Sequence, residues 1–99
     1  VKTAVEREFG VDNIMVQIAN CESVGFRQFD KDGNVLRGKQ NPQDVGVFQI
    51  NEHYHLESSK KLGLDIYTLA GNIAYARYLY DTQGVQPWNW SRPCWGKYL

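Results

Sequence analysis

The sequence predicts a mainly helical α+β domain with a small β-hairpin insertion. Three observations carry that expectation. Apolar residues recur at helical spacing in two separate stretches, Ile14, Met15, Ile18 and Cys21, then Ile66, Leu69, Ile73, Ala76 and Leu79 or Tyr80. Between them, Phe26 to Val47 loses that period and breaks into short apolar pieces around a turn cluster, Asp30, Asp32, Gly33 and Asn34. The 99 residues suffice for one domain, residues 1–99, and no Pro/Gly/Ser linker or repeat divides them.

In chain order, Lys2 to Phe9 reads as a short helix stopped near Gly10. Asp12 is the expected N-cap of the next helix, which carries Ile14 to Cys21 and ends by Gly25. Phe26/Phe29 and Val35/Leu36, flanking the turn cluster, read as a hairpin or irregular β excursion, and Asn41-Pro42 marks a further turn. Val45 to Ile50 is too short for its apolar content to separate strand from helix. Leu56 to Leu62 reads as a short helix ended by Gly63. Asp65 is then expected to cap the longest helix, with Gly84 as its stop. The remainder, Gln86 to Leu99, holds Trp88, Trp90, Trp95, Pro87 and Pro93, and reads as an extended tail packed back on the domain.

Composition bounds the function. Eleven basic and eleven acidic residues cancel, which argues against nucleic acid as a partner and gives no strong pull toward an anionic surface. No apolar run is long enough to span a membrane. The sequence begins at Val1 with no leader pattern and reads as an excised domain or mature fragment. The two cysteines, Cys21 and Cys94, fit either one disulfide or two buried thiols. If they pair, closing so long a loop stabilises by about 4 kcal/mol on the chain-entropy model.

Glu22 falls on or beside the apolar stripe of its helix, four residues after Ile18. Burial there, together with the negative end of the helix dipole, favours the protonated acid that donation to a leaving oxygen requires. Periodicity alone also fits a solvated carboxylate at the edge of the stripe.

The wording around Glu22 adds to this. Cys21-Glu22-Ser23 is followed, after a hairpin-sized gap, by Asp44-Val45-Gly46-Val47-Phe48-Gln49-Ile50-Asn51. The second stretch resembles the D-Y-G-[IL]-[FL]-Q-I-N run of animal-type lysozymes and the G-L-M-Q-[IV] motif of soluble lytic transglycosylases. Asn72-Ile73, Ala76 and Tyr78-Leu79 are similar to the transglycosylase N-[IV]-x-x-G-x-x-Y-L helix, with Ala76 in place of the usual Gly. Cys-Glu with a late Pro, Trp and Cys resembles the resuscitation-promoting factors of the same lysozyme-like superfamily.

That resemblance implies a cell-wall glycosidase located outside the cytoplasm, acting on the β-1,4 bond between N-acetylmuramic acid and N-acetylglucosamine. Glu22 would be its general acid and base, and its partners peptidoglycan strands. It further implies a Cys21–Cys94 disulfide, no cofactor or metal, and a monomer. Glu-Ser and the Asn72 helix favour a lytic transglycosylase. Asp44, matching the second carboxylate of animal-type lysozymes, favours a hydrolase, and it also reads as a plain turn residue after Pro42. Gln49 and Asn51 match cleft amides suited to sugar hydroxyls, or else brace the turn. Trp88 is the tryptophan expected in the cleft, and the others are free to fill the core. The Y-N-A-G stretch whose tyrosine meets the acid is missing; Tyr75, Tyr78 and Tyr80 are the available replacements, Tyr78 being assigned to substrate. A non-catalytic glycan-binding module is the rival from another class.

Other motifs fail on chemistry. Aligning Gly33 with the invariant glycine of a calcium loop puts Gln28 and Lys39 at the first and last ligand positions. His53-Tyr54-His55 lacks companions at zinc spacing. Asn89-Trp90-Ser91 is a formal glycosylation sequon.

Overall fold

The computed structural model describes residues 1–99. It is mainly helical with one small antiparallel hairpin, the α+β class expected. Helix α1 spans Lys2–Phe9, and the Gly10 N–H closes it on the Glu6 carbonyl at 2.8 Å. Helix α2 spans Ile14–Ser23. Its cap is Asn13 rather than Asp12: Asn13 has the extended backbone of an N-cap and its Oδ1 accepts the Met15 N–H at 2.8 Å, while Asp12 stays in the preceding turn.

The excursion after α2 is irregular. The Asp30 carboxylate accepts the N–H groups of Asp32 and Asn34, closing the expected turn, and single bridges join Phe29 to Val35 and Arg37 to Val45. The apolar run resolves as a hairpin in which β1 (Asp44–Val45) pairs antiparallel with β2 (Ile50–Asn51), Asp44 opposite Asn51 and Val45 opposite Ile50. Val47 and Phe48 sit in its turn and are fully buried.

Helix α3 runs Glu52–Lys61, starting four residues earlier than its apolar pattern suggests, because the Asn51 side chain accepts the Tyr54 N–H and caps it. Helix α4 spans Leu69–Gln83 and is capped by Thr68, whose Oγ1 accepts the Gly71 N–H at 3.0 Å. Asp65, the expected cap, instead closes the turn before it by accepting the Tyr67 N–H. That turn lies directly against the helix: a β-carbon at Gly71 would collide with the Asp65 carbonyl oxygen.

The tail is not extended. Gln86–Ser91 forms a 3-10 helix, Arg92–Trp95 the short helix α5, and Gly96–Tyr98 a final 3-10 turn. Pro87 and Pro93 stand in the first turns of the two leading segments, where a missing N–H costs nothing. The extended tail expected from the sequence is replaced by these three short helical segments. The tail packs on α2 and closes the core. Phe48 in the hairpin turn meets Phe9 of α1 edge-on at 5.6 Å between ring centroids and Trp88 of the tail at 5.9 Å. One apolar cluster thus runs from α1 through the hairpin to the C-terminus. No helix is long and apolar enough to cross a membrane.

Candidate active site

Glu22 is the penultimate residue of α2. Its helix buries Met15, Val16, Ile18 and Ala19, and this stripe carries Glu22 part-way into the protein. Ser23, itself buried, ties off the helix: its hydroxyl donates to the Ala19 carbonyl at 2.8 Å and accepts the Arg27 N–H at 2.9 Å. Arg27 Nε also donates to the Ser23 carbonyl at 3.0 Å. These bonds hold a strained exit. Val24, Gly25 and Phe26 all have positive φ, at 52°, 108° and 60°. For β-branched Val24 and for Phe26 that conformation costs about 1 kcal/mol or more each. Such strain next to a half-buried carboxyl fixes the direction of the helix end.

The disulfide forms. Cys21, the residue before Glu22, is bonded to Cys94 of α5, with the Cα atoms 6.1 Å apart. It brings the tail to the end of α2, and with it Ser91, whose hydroxyl acts on the Glu22 carboxyl. Asp44, on β1, is close enough for its charge to act on Glu22.

The electrostatics follow from these neighbours. Loss of water around Glu22 is the main effect; the Ser91 hydroxyl opposes it, Asp44 reinforces it, and the carboxyl is pushed up to about 7. Asp44 is also raised, chiefly by burial, but the Asn51 amide counters this by donating to its Oδ1 at 3.0 Å. The two carboxyls therefore differ in kind: one poised between acid and base near neutrality, the other solvated on one side and supported by an amide.

The remaining expected residues separate into site and scaffold. Asn51 belongs beside Asp44, and its Oδ1 is engaged in capping α3. Gln49 braces the hairpin turn, its Nε2 donating to the Gly46 carbonyl at 2.9 Å. Trp88 corrects the expectation of a sugar-facing ring. It is 2% exposed and its Nε1 donates to the Phe48 carbonyl at 2.9 Å, so the ring is core. Trp95 is likewise buried, whereas Trp90 is 99% exposed. Tyr78 is exposed on α4 and leans on Tyr75, whose hydroxyl pairs with His55 Nδ1 at 2.9 Å, while Tyr80 meets Phe9 edge-on.

Two side chains have structural roles the sequence did not single out. Gln28, buried, accepts the Val47 N–H at 2.9 Å and donates to the Tyr67 carbonyl at 3.1 Å. Ser91 was visible only as part of a sequon. The disulfide is the signal that carries the segment holding Ser91 to the end of α2. The outer wall of the hairpin is tied by Arg37 and the Tyr67 hydroxyl, which both bond the Glu52 carboxylate, at 2.8 and 2.7 Å, and hold its pKa below the usual range.

A shallow depression of about 530 Å³ lies elsewhere, lined by Asp30, Asn34, Val35, Leu36 and Arg37, and includes neither carboxyl. Compared with protein-family models, curated proteins and solved structures, the chain gives no match.

Proposed function

We propose that the chain is an extracytoplasmic enzyme that cleaves the β-1,4 bond between N-acetylmuramic acid and N-acetylglucosamine in peptidoglycan, as a lytic transglycosylase. The observation that carries this reading is the Glu22 carboxyl, half-buried at a strained helix end and held near 7. Such a group gives a proton to a glycosidic oxygen and takes one back at the same pH. In the first half of the reaction Glu22 protonates the leaving N-acetylglucosamine oxygen as the bond to the muramoyl C1 breaks. In the second, the muramoyl 6-hydroxyl attacks C1 and its proton returns to Glu22, leaving a 1,6-anhydro end. The resemblance of Glu22-Ser23, Gly46–Ile50 and the Asn72 helix to the transglycosylase motifs supports the substrate. The Cys21–Cys94 disulfide suits an oxidising compartment.

Asp44 favours a second reading, a hydrolytic lysozyme. Its charge acts directly on Glu22, and Asn51 supports its ionised form. A carboxylate so placed suits an oxocarbenium ion or a covalent intermediate.

Digestion of purified sacculi with the wild type and with Glu22→Gln, followed by mass spectrometry of the muropeptides, tests both. The expected products carry ends one water lighter than hydrolytic ends and vanish with Glu22→Gln. Reducing ends alone in early digests favour the lysozyme. A wild type that binds glycan without turnover makes the chain a binding module.

A further inference from the structure

The three tryptophans of the tail are used in two different ways. Trp88 and Trp95 are buried and spend their indole N–H groups inside the chain, Trp88 on the Phe48 carbonyl and Trp95 on the Ser91 hydroxyl, each at 2.9 Å. Trp90, between them, is 99% exposed, and its Nε1–H is left free. The exposed tyrosines each rest against a neighbour: Tyr54 on His53, Tyr78 on Tyr75, and Tyr98 under Lys97. Arg92, the cation nearest to Trp90 in sequence, lies over the Trp95 ring at 5.6 Å instead. Both faces of the Trp90 ring are therefore bare. A tryptophan so placed forgoes the stabilisation that burial of a large apolar side chain brings, and no contact within the chain offsets it.

The pedestal under this ring is fixed. Trp88 is anchored in the core, and the Ser91 hydroxyl donates to the Trp88 carbonyl at 3.1 Å while it accepts the Trp95 Nε1–H. The backbone on both sides of Trp90 is thus held, so a ligand seated on the ring has little chain to order. The place is also near the acid. Trp90 precedes Cys94 by about one helical turn, the disulfide spans 6.1 Å between Cα atoms, and Cys21 adjoins Glu22. These steps keep the Trp90 and Glu22 Cα atoms within about 20 Å of each other. The 3-10 segment and α5 both pack on α2.

We propose that Trp90 is a carbohydrate-stacking site that holds a pyranose ring of the glycan strand away from the bond on which Glu22 acts. The chemistry of the exposed group selects this class of ligand. A pyranose presents a face of C–H groups to a flat apolar ring and hydroxyls at its edge to a free N–H. The ring is bordered by exposed Asn89 and by Ser91, and one side chain offers far less apolar area than a protein partner needs. The balanced charge gives nucleic acid no purchase. The proposal deepens the glycosidase reading and rests on it for the identity of the strand.

The test follows the indole N–H signals by NMR in the full chain carrying Glu22→Gln, which keeps the ligand uncut. The probe is soluble glycan strands of alternating N-acetylglucosamine and N-acetylmuramic acid, freed of peptide stems. The Trp90 signal, assigned by its loss in Trp90→Phe, is expected to move on titration while those of Trp88 and Trp95 stay nearly still. Adding Trp90→Ala should weaken strand binding about tenfold, and Trp90→Phe, which keeps a flat ring, about threefold. With Glu22 in place, Trp90→Ala should raise KM on sacculi about tenfold and change kcat little. Its unfolding midpoint in urea should match the wild type, since the ring supports nothing in the fold. A Trp90→Ala protein that binds strands and digests sacculi like its parent overturns the proposal and leaves the glycosidase reading standing. So does a Trp90 signal that stays put while strands bind. Strand binding that depends on Trp90 in a chain inert toward sacculi supports the stacking site and overturns the glycosidase reading. A chain that neither binds nor cuts glycan overturns both.

Discussion

Gly46 is pressed against Asn72: a β-carbon at position 46 would run into the Asn72 Nδ2, and into Gln28 Nε2 at 2.8 Å. Gly46 also has φ 77°, so the hairpin turn that follows Asp44 fits only without a side chain there. Asn72, fully buried on α4, uses its whole amide on this turn. It accepts the Phe48 N–H at 2.9 Å and donates to the Val45 and Ile66 carbonyls at 2.9 and 2.8 Å.

Asn72→Ala removes three hydrogen bonds to buried backbone groups and is expected to destabilise by about 3 kcal/mol or more. Gly46→Ala should cost a similar amount through strain and collision. Urea unfolding measures both. A loss below about 1 kcal/mol in either would show that the turn relaxes without this clamp.

Glu22→Gln is expected to change stability with pH in a defined direction. The carboxyl goes from 4.5 in the open chain to about 7 when folded, so the folded state holds the proton more tightly. The group's contribution is fully present below 4.5 and is lost as pH rises through about 7. Relative to the wild type, the glutamine variant should therefore gain about 3 kcal/mol between about pH 4 and about pH 8. Denaturant unfolding at both values checks this, and a pH-independent difference would mean that Glu22 is not held protonated.

Asp44→Asn removes a charge that raises the Glu22 pKa, so the Glu22 midpoint should fall. The new amide keeps an oxygen for Asn51, so the hairpin stays supported. Under the lytic reading, turnover on sacculi survives within about tenfold and its alkaline limb moves to lower pH. Loss of turnover by a factor of about a thousand or more would assign Asp44 the second catalytic role.

The double variant Cys21→Ser/Cys94→Ser opens a loop spanning 73 positions. Its expected loss is about 4 kcal/mol on the chain-entropy model. The Glu22 midpoint, read by NMR, should also move, because the tail that carries Ser91 is no longer tied to α2. An unchanged midpoint would mean that core packing of Trp88 and Trp95 alone holds the tail.

Much of the fold was legible because local signals acted alone. α1 follows from its stop at Gly10, and α2 from apolar spacing and a stop near Gly25. The errors arose where two residues competed for one role. Asp12 and Asp65 are good caps by type, but Asn13 and Thr68 stand immediately before the first helical residue. α3 begins with Glu52, His53, Tyr54 and His55, which have no apolar period to read. Pro87 and Pro93 signal a break in mid-helix and a start in a first turn, and only tertiary packing distinguishes the two. At the site, the helix face left Glu22 between a buried acid and a solvated carboxylate, and the motifs around it singled it out. Trp88 was misjudged because a tryptophan beside proline carries no mark of which way its ring turns. Ser91 needed the disulfide in place before its neighbour could be inferred.

The disulfide also sets an order of events. The walls around Glu22 come from α2 on one side and from Ser91 on the other, and the staple joins positions 21 and 94. During synthesis, the first helices emerge long before the segment that completes this environment. The acid is therefore present early but tuned last, after the segment carrying Cys94 has left the ribosome and the two thiols have met an oxidant. A chain still inside a reducing compartment carries every residue of the site without the tether that holds Ser91 to it.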